Sequence, residues 1–198
     1  MPQSDPPAIP ATAVSKANVF VAVYEQFFLE RAYPKWESYS STEKLARIND
    51  PNPKIGQTVT PLVTSESENT TTIGLDRYRV ANLDGSQTDN EFCAQMAVGV
   101  GTEDPDYEDE SLTAELGRTR IDSYDARQTR LFCSAFLDSE EAKEGSDPLT
   151  EVGVISSTGR LFNHSLISPI SKTAARTITV DVVFSFDTLR SDTETGGS

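Results

Sequence analysis

The 198-residue chain carries 31 Asp and Glu against 17 Lys and Arg, with one His, for a formal net charge of −14 at pH 7. An excess of this size argues against nucleic acid and against an anionic membrane surface as partners, because both are bound through clustered Lys and Arg. No run approaches the ~20 apolar residues of a membrane span, and the opening Met1-Pro2-Gln3-Ser4-Asp5-Pro6-Pro7 lacks the basic and apolar regions of a secretory signal.

Prolines at positions 2, 6, 7 and 10 make residues 1–13 an extended arm, since proline fixes φ and removes a donor. Ser15 is placed to cap a helix that reaches about Tyr33. Val19, Val23 and Phe27 recur every four residues, and Phe20, Tyr24 and Phe28 form a second row beside them. The β-branched content keeps a strand open as the alternative. Pro34 ends the element in either case. A segment this apolar must be covered by its own domain or by a neighbouring subunit. Ser40-Ser41-Thr42-Glu43 has capping-box spacing and predicts a short helix to about Ile48. Residues 14–55 are thus read as a helical segment, broken after Ile48 by Pro51 and Pro53. Residues 56–72 are rich in Thr, Ser and Glu, with a weak strand at 58–63.

From residue 73 the hydrophobic period falls to two. Ile73 to Val80 alternates in part, and Phe92 to Val100 is a compact apolar run. Gln128 to Asp138 places Leu131, Cys133, Ala135 and Leu137 on one side and Phe132 and Phe136 on the other, a strand buried on both faces. Leu149–Ile155 and Arg160–Ile167 flank Ser156-Ser157-Thr158-Gly159, a hairpin connection. Thr177 to Phe186 is the cleanest strand: Ile178, Val180, Val182, Phe184 and Phe186 point one way, Thr177, Thr179, Asp181 and Ser185 the other. The pattern predicts a mainly β fold, an antiparallel β-sandwich of six to eight strands over residues 56–188, with an N-terminal helical arm and a flexible tail over 189–198.

Chemistry-bearing residues are sparse. Cys93 and Cys133 lie 40 residues apart with neither a CxxC spacing nor His partners, which argues against structural zinc. They read as small buried hydrophobes, with a disulfide as the lesser alternative. The single histidine, His164, falls in a predicted strand whose next residue, Ser165, points to the opposite face, so no Ser/His pair forms. It reads as a surface or interface residue. The acidic run Glu103 to Glu110 lacks the glycine and spacing of a calcium loop and reads as solvated. Gly99-Val100-Gly101 follows a strand but has no third glycine and no Gly-Lys-Thr, which argues against a nucleotide loop. Asn69 and Asn163 start N-glycosylation patterns of a kind common by chance. Nothing fixes two acids at the ~5–10 Å that glycoside hydrolysis needs. No catalytic, cofactor or metal constellation emerges. Arg77/Arg79 and Arg118/Arg120 each put like charges on one strand face, as interface anchors or as plain surface. The 11 Arg against 6 Lys, with acids dispersed along the chain, fit a protein that works in concentrated salt, where screening cancels self-repulsion. An ordinary acidic surface is the alternative.

One ordered set of motifs spans roughly residues 92–187. It runs Met96-Ala97-Val98-Gly99-Val100-Gly101, then Ser111-Leu112-Thr113-Ala114-Glu115-Leu116-Gly117-Arg118. Leu149-Thr150-Glu151-Val152-Gly153-Val154 and Thr158-Gly159-Arg160-Leu161-Phe162 follow, and Pro169-Ile170-Ser171-Lys172-Thr173 precedes the last strand. This order resembles the N-terminal domain of phage tail-collar fibre proteins and small structural proteins of tailed viruses. The resemblance implies a non-enzymatic virion component. The chain departs from the fibres in having no repetitive shaft and in adding the apolar N-terminal segment. A connector, collar, tail or capsid-vertex decoration role is therefore expected, in a tailed virus of a halophilic archaeon, with homo-oligomerisation and docking on other virion proteins. Val19, Val23, Phe27 and Phe28 are the expected interface, with Arg118 and Arg120 as polar anchors. The alternative function is a host-surface glycan-binding module that stacks sugars on Tyr33, Trp36 and Tyr39.

Overall fold

Val19, Val21 and Val23 alternate with Phe20, Ala22 and Tyr24, and in the computed structural model this alternation prevails over the four-residue spacing. Residues 16–54, 56–83, 91–138 and 147–186 are described; the arm over 1–13, the Ser15 cap and the tail over 189–198 lie outside the described residues. Lys16–Glu25 is a strand, β1, and not the first turns of a helix. A spacing of four satisfies a strand as well as a helix, because four is a multiple of two, and the β-branched valines decide between them. Helix α1 begins only at Gln26 and ends at Ala32. A 3-10 turn over Trp36–Ser38 and helix α2, Ser41–Ile48, follow. The Ser40 side chain accepts from the Glu43 amide while the Glu43 carboxylate accepts from the Ser40 amide, the reciprocal cap expected from the sequence.

The strand expected at 58–63 lies later, at Val63–Thr70 (β2). Its polar residues suit a sheet edge, where one side of the strand faces water. Ile73 to Val80, expected to alternate in part, lies in helix α3, Ile73–Leu83. Leu75 is buried and Tyr78 packs on the core, the i,i+3 spacing of one helical face. Arg77 and Arg79 consequently do not share a face: Arg79 lies 3.5 Å from Asp76 and Arg77 3.8 Å from Glu110. The remaining strands are β3 (Cys93–Gly99), β4 (Glu115–Arg120), β5 (Ser123–Arg127), β6 (Arg130–Leu137), β7 (Leu149–Ser156), β8 (Leu161–Ile170) and β9 (Arg176–Ser185).

These nine strands, among the described residues, form two antiparallel sheets in the orders β2-β1-β9-β6-β5 and β4-β3-β7-β8. The fold is the expected mainly β sandwich. Its core lies between the sheets. In register across the larger sheet stand Val19, Val182, Cys133 and Tyr124, and a second row joins Val21, Val180 and Ala135. Met96, Val98, Val152, Val154 and Phe162 meet them from the smaller sheet. β7 and β8 form the expected hairpin, turning through Gly159 at φ +90.

Both outer faces carry a cover. On the larger sheet, α1, the 3-10 turn and α2 bury Tyr24, Leu29, Tyr33, Trp36 and Phe136 in a second cluster, so the N-terminal helices cap the sheet rather than project from it. This cap is why β6 is buried on both faces near its end. Lys44 of α2 is almost wholly buried there, with Nζ 2.6 Å from Asp138 Oδ2 and 5.5 Å from the ring centroids of both Trp36 and Phe136. The ion pair and the two aromatic faces together replace the water that the ammonium gives up.

Asp181, midway along β9, has Phe20 and Ser134 as its register neighbours. Burial pushes the Asp181 carboxyl above its ordinary range, opposed by its hydrogen bond with Ser134.

Two predictions follow from this packing. Val19→Asp places a charge in the sealed core and abolishes the folded state, whereas Phe28→Ser on exposed α1 shifts stability by less than about 0.5 kcal/mol; urea unfolding with circular dichroism reads both. For Asp181, a raised folded-state pKa means that ionisation opposes folding. That cost is absent below the unfolded-state pKa and fully present above the folded one. Asp181→Asn therefore raises the urea midpoint at neutral pH, and the gain vanishes as pH falls through about 4; a pH-independent gain would refute the burial argument.

Candidate functional site

β7 is buried along its whole length because a second cover, the segment over residues 100–114, lies across the outer face of the smaller sheet. Leu112 seats it against Ala97, Ile155 and Leu161. Glu151, on β7, points into this layer with its side chain sealed from solvent. Four groups converge on its carboxylate. The Gly101 amide donates to Oε1 at 3.0 Å, the Ala114 amide to Oε1 at 2.7 Å and the Thr113 amide to Oε2 at 3.0 Å. His164 Nε2, from the adjacent strand β8, lies 2.9 Å from Oε2. Four contacts match the acceptor capacity of a carboxylate.

His164 is itself about 1% exposed, and its other nitrogen, Nδ1, lies 2.7 Å from Asp109 Oδ2. Asp109 comes from the acidic run, and its Oδ2 also accepts from the Asp106 amide at 2.8 Å. The expectation of a surface or interface histidine is thus corrected, and the acidic run is tethered at Asp109 instead of being wholly solvated. A neutral imidazole has one N–H to give, and here both ring nitrogens face carboxylate oxygens.

The glycines around Glu151 have a steric reason. A Cβ on Gly99 would lie 2.3 Å from Glu151 Oε1 and 2.4 Å from the Ala114 carbonyl oxygen, and one on Gly101 would meet the carboxylate at 2.7 Å. The Gly-x-Gly turn does cradle an anion, and the anion is the protein's own Glu151. The sequence signal was present in Gly99-Val100-Gly101 and Glu151-Val152-Gly153, but periodicity links neither motif to the other nor to Asp109.

Chemically the Glu151–His164–Asp109 row is a clasp. Both imidazole nitrogens are engaged, and Asp109 and Glu151 sit on opposite sides of the ring, so the three side chains do not converge on one point. Among the described residues, no group of three or more His, Cys, Asp or Glu could hold a metal ion. A cleft of about 240 Å³ beside the clasp is lined by Arg77, Asp109, Glu110 and Arg160, with no serine, threonine or cysteine in its wall. Both arginines are ion-paired there, Arg77 with Glu110 and Arg160 with buried Glu91 at 3.1 Å. Glu91 also accepts from the hydroxyls of Ser156 and Thr158, which fixes the β7–β8 turn.

The residues expected at an interface divide sharply. Val19 and Val23 are sealed in the core of their own subunit, as the strand assignment of β1 requires, and cannot meet a partner. Phe27 and Phe28 are 64% and 54% exposed, their rings edge to face at 5.6 Å. Arg118 is exposed but held by Glu115 through two hydrogen bonds, at 2.6 and 3.0 Å. Arg120 is exposed on edge strand β4. Of the aromatics considered for sugar stacking, Tyr33 and Trp36 are buried in the cap and Tyr39, half-buried beside them, has the Arg47 guanidinium over its ring at 3.9 Å, so these three form no platform. Asn163 is buried too, which closes that glycosylation pattern in the folded chain.

Comparison of the chain with known family models, with curated proteins and with solved structures finds no match.

The cradle makes a graded prediction for urea unfolding. Glu151→Ala costs about 3–5 kcal/mol by leaving its donors buried and unpaired. Gly99→Ala costs about 2–3 kcal/mol by overpacking, and Gly159→Ala, with open space around it, about 1 kcal/mol from its φ alone. Equal losses for the two glycines would contradict the cradle.

Proposed function

We propose that this chain is a non-catalytic structural component of a tailed virus, a homo-oligomeric connector, collar, tail or capsid-vertex piece that docks on neighbouring virion proteins. The observation that most favours the reading is the aromatic pair Phe27–Phe28, left in solvent by a chain that covers both faces of its sandwich. Leu62 and Val63, both exposed, lie near the end of β1 from which α1 departs: Val63 pairs with Val23 and the Leu62 amide donates to the Val23 carbonyl. Large apolar side chains grouped in this way mark a protein contact. A second copy of the chain is the proposed occupant, with Arg120 on the β4 edge as a polar anchor.

The motif order shared with tail-collar domains supports the same reading. Its pieces assemble the Glu151 cradle, a fold-defining device that asks for no substrate. The virion is the proposed location, and an acidic, lysine-poor surface suits the virus of a halophilic archaeon. Multiple copies convert weak single contacts into firm attachment through avidity.

Light scattering on purified protein in molar salt tests the proposal. The wild type forms a defined oligomer, and Phe27→Ser/Phe28→Ser stays folded but monomeric. Particles assembled without the protein lack a discrete density at tail, neck or vertex in electron micrographs. A monomeric wild type, or complete particles in its absence, would overturn the reading.

A further inference from the structure

Arg31 follows Phe27 by four positions and Phe28 by three, the spacings that bring side chains together on one side of a helix, and all three are exposed on α1. The aromatic pair thus has a cation beside it. Among the described residues Arg31 has no ion-pair partner. A counterpart lies on the outer face of the larger sheet. Strand alternation turns Val180, Val182 and Phe184 into the core and leaves Asp181 and Val183 on the other side of β9. The same alternation puts Phe20 of β1 across from Asp181, and Phe132 of β6 across from Val183. The helical cap leaves Phe20 36% exposed, and Asp181, Val183 and Phe132 are half-buried. A carboxyl therefore sits among apolar side chains that remain partly in solvent. Among the described residues no cation is paired with it. Arg127, whose guanidinium lies 5.4 Å from the Phe132 ring centroid, is held by Asp125 at 2.7 Å. Burial raises the Asp181 carboxyl, so its ionisation opposes folding of a lone subunit, and a cation arriving from outside reverses that penalty.

We infer that the Phe27–Phe28–Arg31 face of one copy docks on the Phe20–Asp181–Val183–Phe132 face of a second copy, with Arg31 paired to Asp181 inside an apolar contact. This rests on the homo-oligomer proposed above and names the surface that receives its aromatic pair. Charge decides between this contact and a symmetric one. Packing α1 against α1 of a second copy sets Arg31 against Arg31, whereas the sheet face offers a carboxylate ringed by apolar side chains. The planar guanidinium fork suits that carboxylate, and apolar neighbours shield the pair from screening in concentrated salt. Two different surfaces meet, so each copy both gives and receives, and the contact repeats from copy to copy until a ring closes.

Sedimentation velocity on the full-length protein in molar salt tests the contact, with circular dichroism to verify that each variant is folded. Arg31→Met and Asp181→Asn each weaken assembly by roughly 30-fold or more. The double variant is no weaker than the worse single one, because both changes remove the same pair. Asp181→Asn weakens assembly even though it stabilises the dilute, dissociated subunit, to which its gain in urea midpoint belongs. Phe27→Ser/Phe28→Ser and Phe20→Ser/Asp181→Asn are each monomeric alone. Mixed in equal amounts they form a pair of one each, since each keeps the surface that the other lacks. A monomeric wild type overturns the homo-oligomer and this contact with it. A wild-type oligomer that Phe27→Ser/Phe28→Ser dissolves, but that Phe20→Ser/Asp181→Asn leaves intact, overturns this contact alone. So do additive losses in the double variant, or two monomeric variants that fail to pair when mixed.

Discussion

A carboxylate cut off from water must find its hydrogen-bond donors inside the protein, and Glu151 finds three backbone amides and a histidine. Much of the smaller sheet is arranged around that requirement. The amides of Gly101, Thr113 and Ala114 come from the two ends of one cover segment, so satisfying Glu151 folds the segment over β7. His164 extends the same demand to Asp109 in the middle of the segment. One buried charge therefore fixes the path of the chain between β3 and β4, and it forbids side chains at Gly99 and Gly101. The cost of burying it is offset only when every donor is in place, which makes the cover cooperative with the sheet.

The larger sheet solves the matching problem by apolar means. Its outer face is closed by Trp36, Tyr33 and Phe136, with Lys44 held between two rings and Asp138. Val19 and Val23 are sealed between the sheets, while α1 and the start of β2 leave large apolar side chains in solvent. That is why Phe27, Phe28, Leu62 and Val63 bear the docking proposal, and why the sealed valines of β1 do not.

Legibility in the sequence followed the strength of the local signal. β9 and the β7–β8 hairpin were plain, because one face of β9 is apolar and the other polar, and because Gly159 marks the turn. The α2 cap was readable from Ser40 and Glu43 alone. β1 is ambiguous because Val19 and Val23 fit both periods, and α3 because Ile73 and Leu75 mimic alternation when the helical pair is Leu75 and Tyr78. The polar edge strand β2 carries almost no hydrophobic pattern. The clasp was illegible for a different reason: Asp109, Glu151 and His164 come from three separate segments, and only the antiparallel pairing of β7 with β8 and the return of the cover bring them together. What the sequence did hold was the negative image of the clasp, in glycines with no room for a side chain.

Hydrogen exchange of the Gly101, Thr113 and Ala114 amides, followed residue by residue by NMR on the native protein, measures the cradle most directly. If Glu151 organises this half of the sandwich, all three exchange at the slow rate of the β7 core amides, with free energies of opening equal to that of global unfolding. Rapid exchange of these amides in a protein whose β7 amides remain protected would show that the segment is an ordinary loop and that the buried carboxylate is not what holds it.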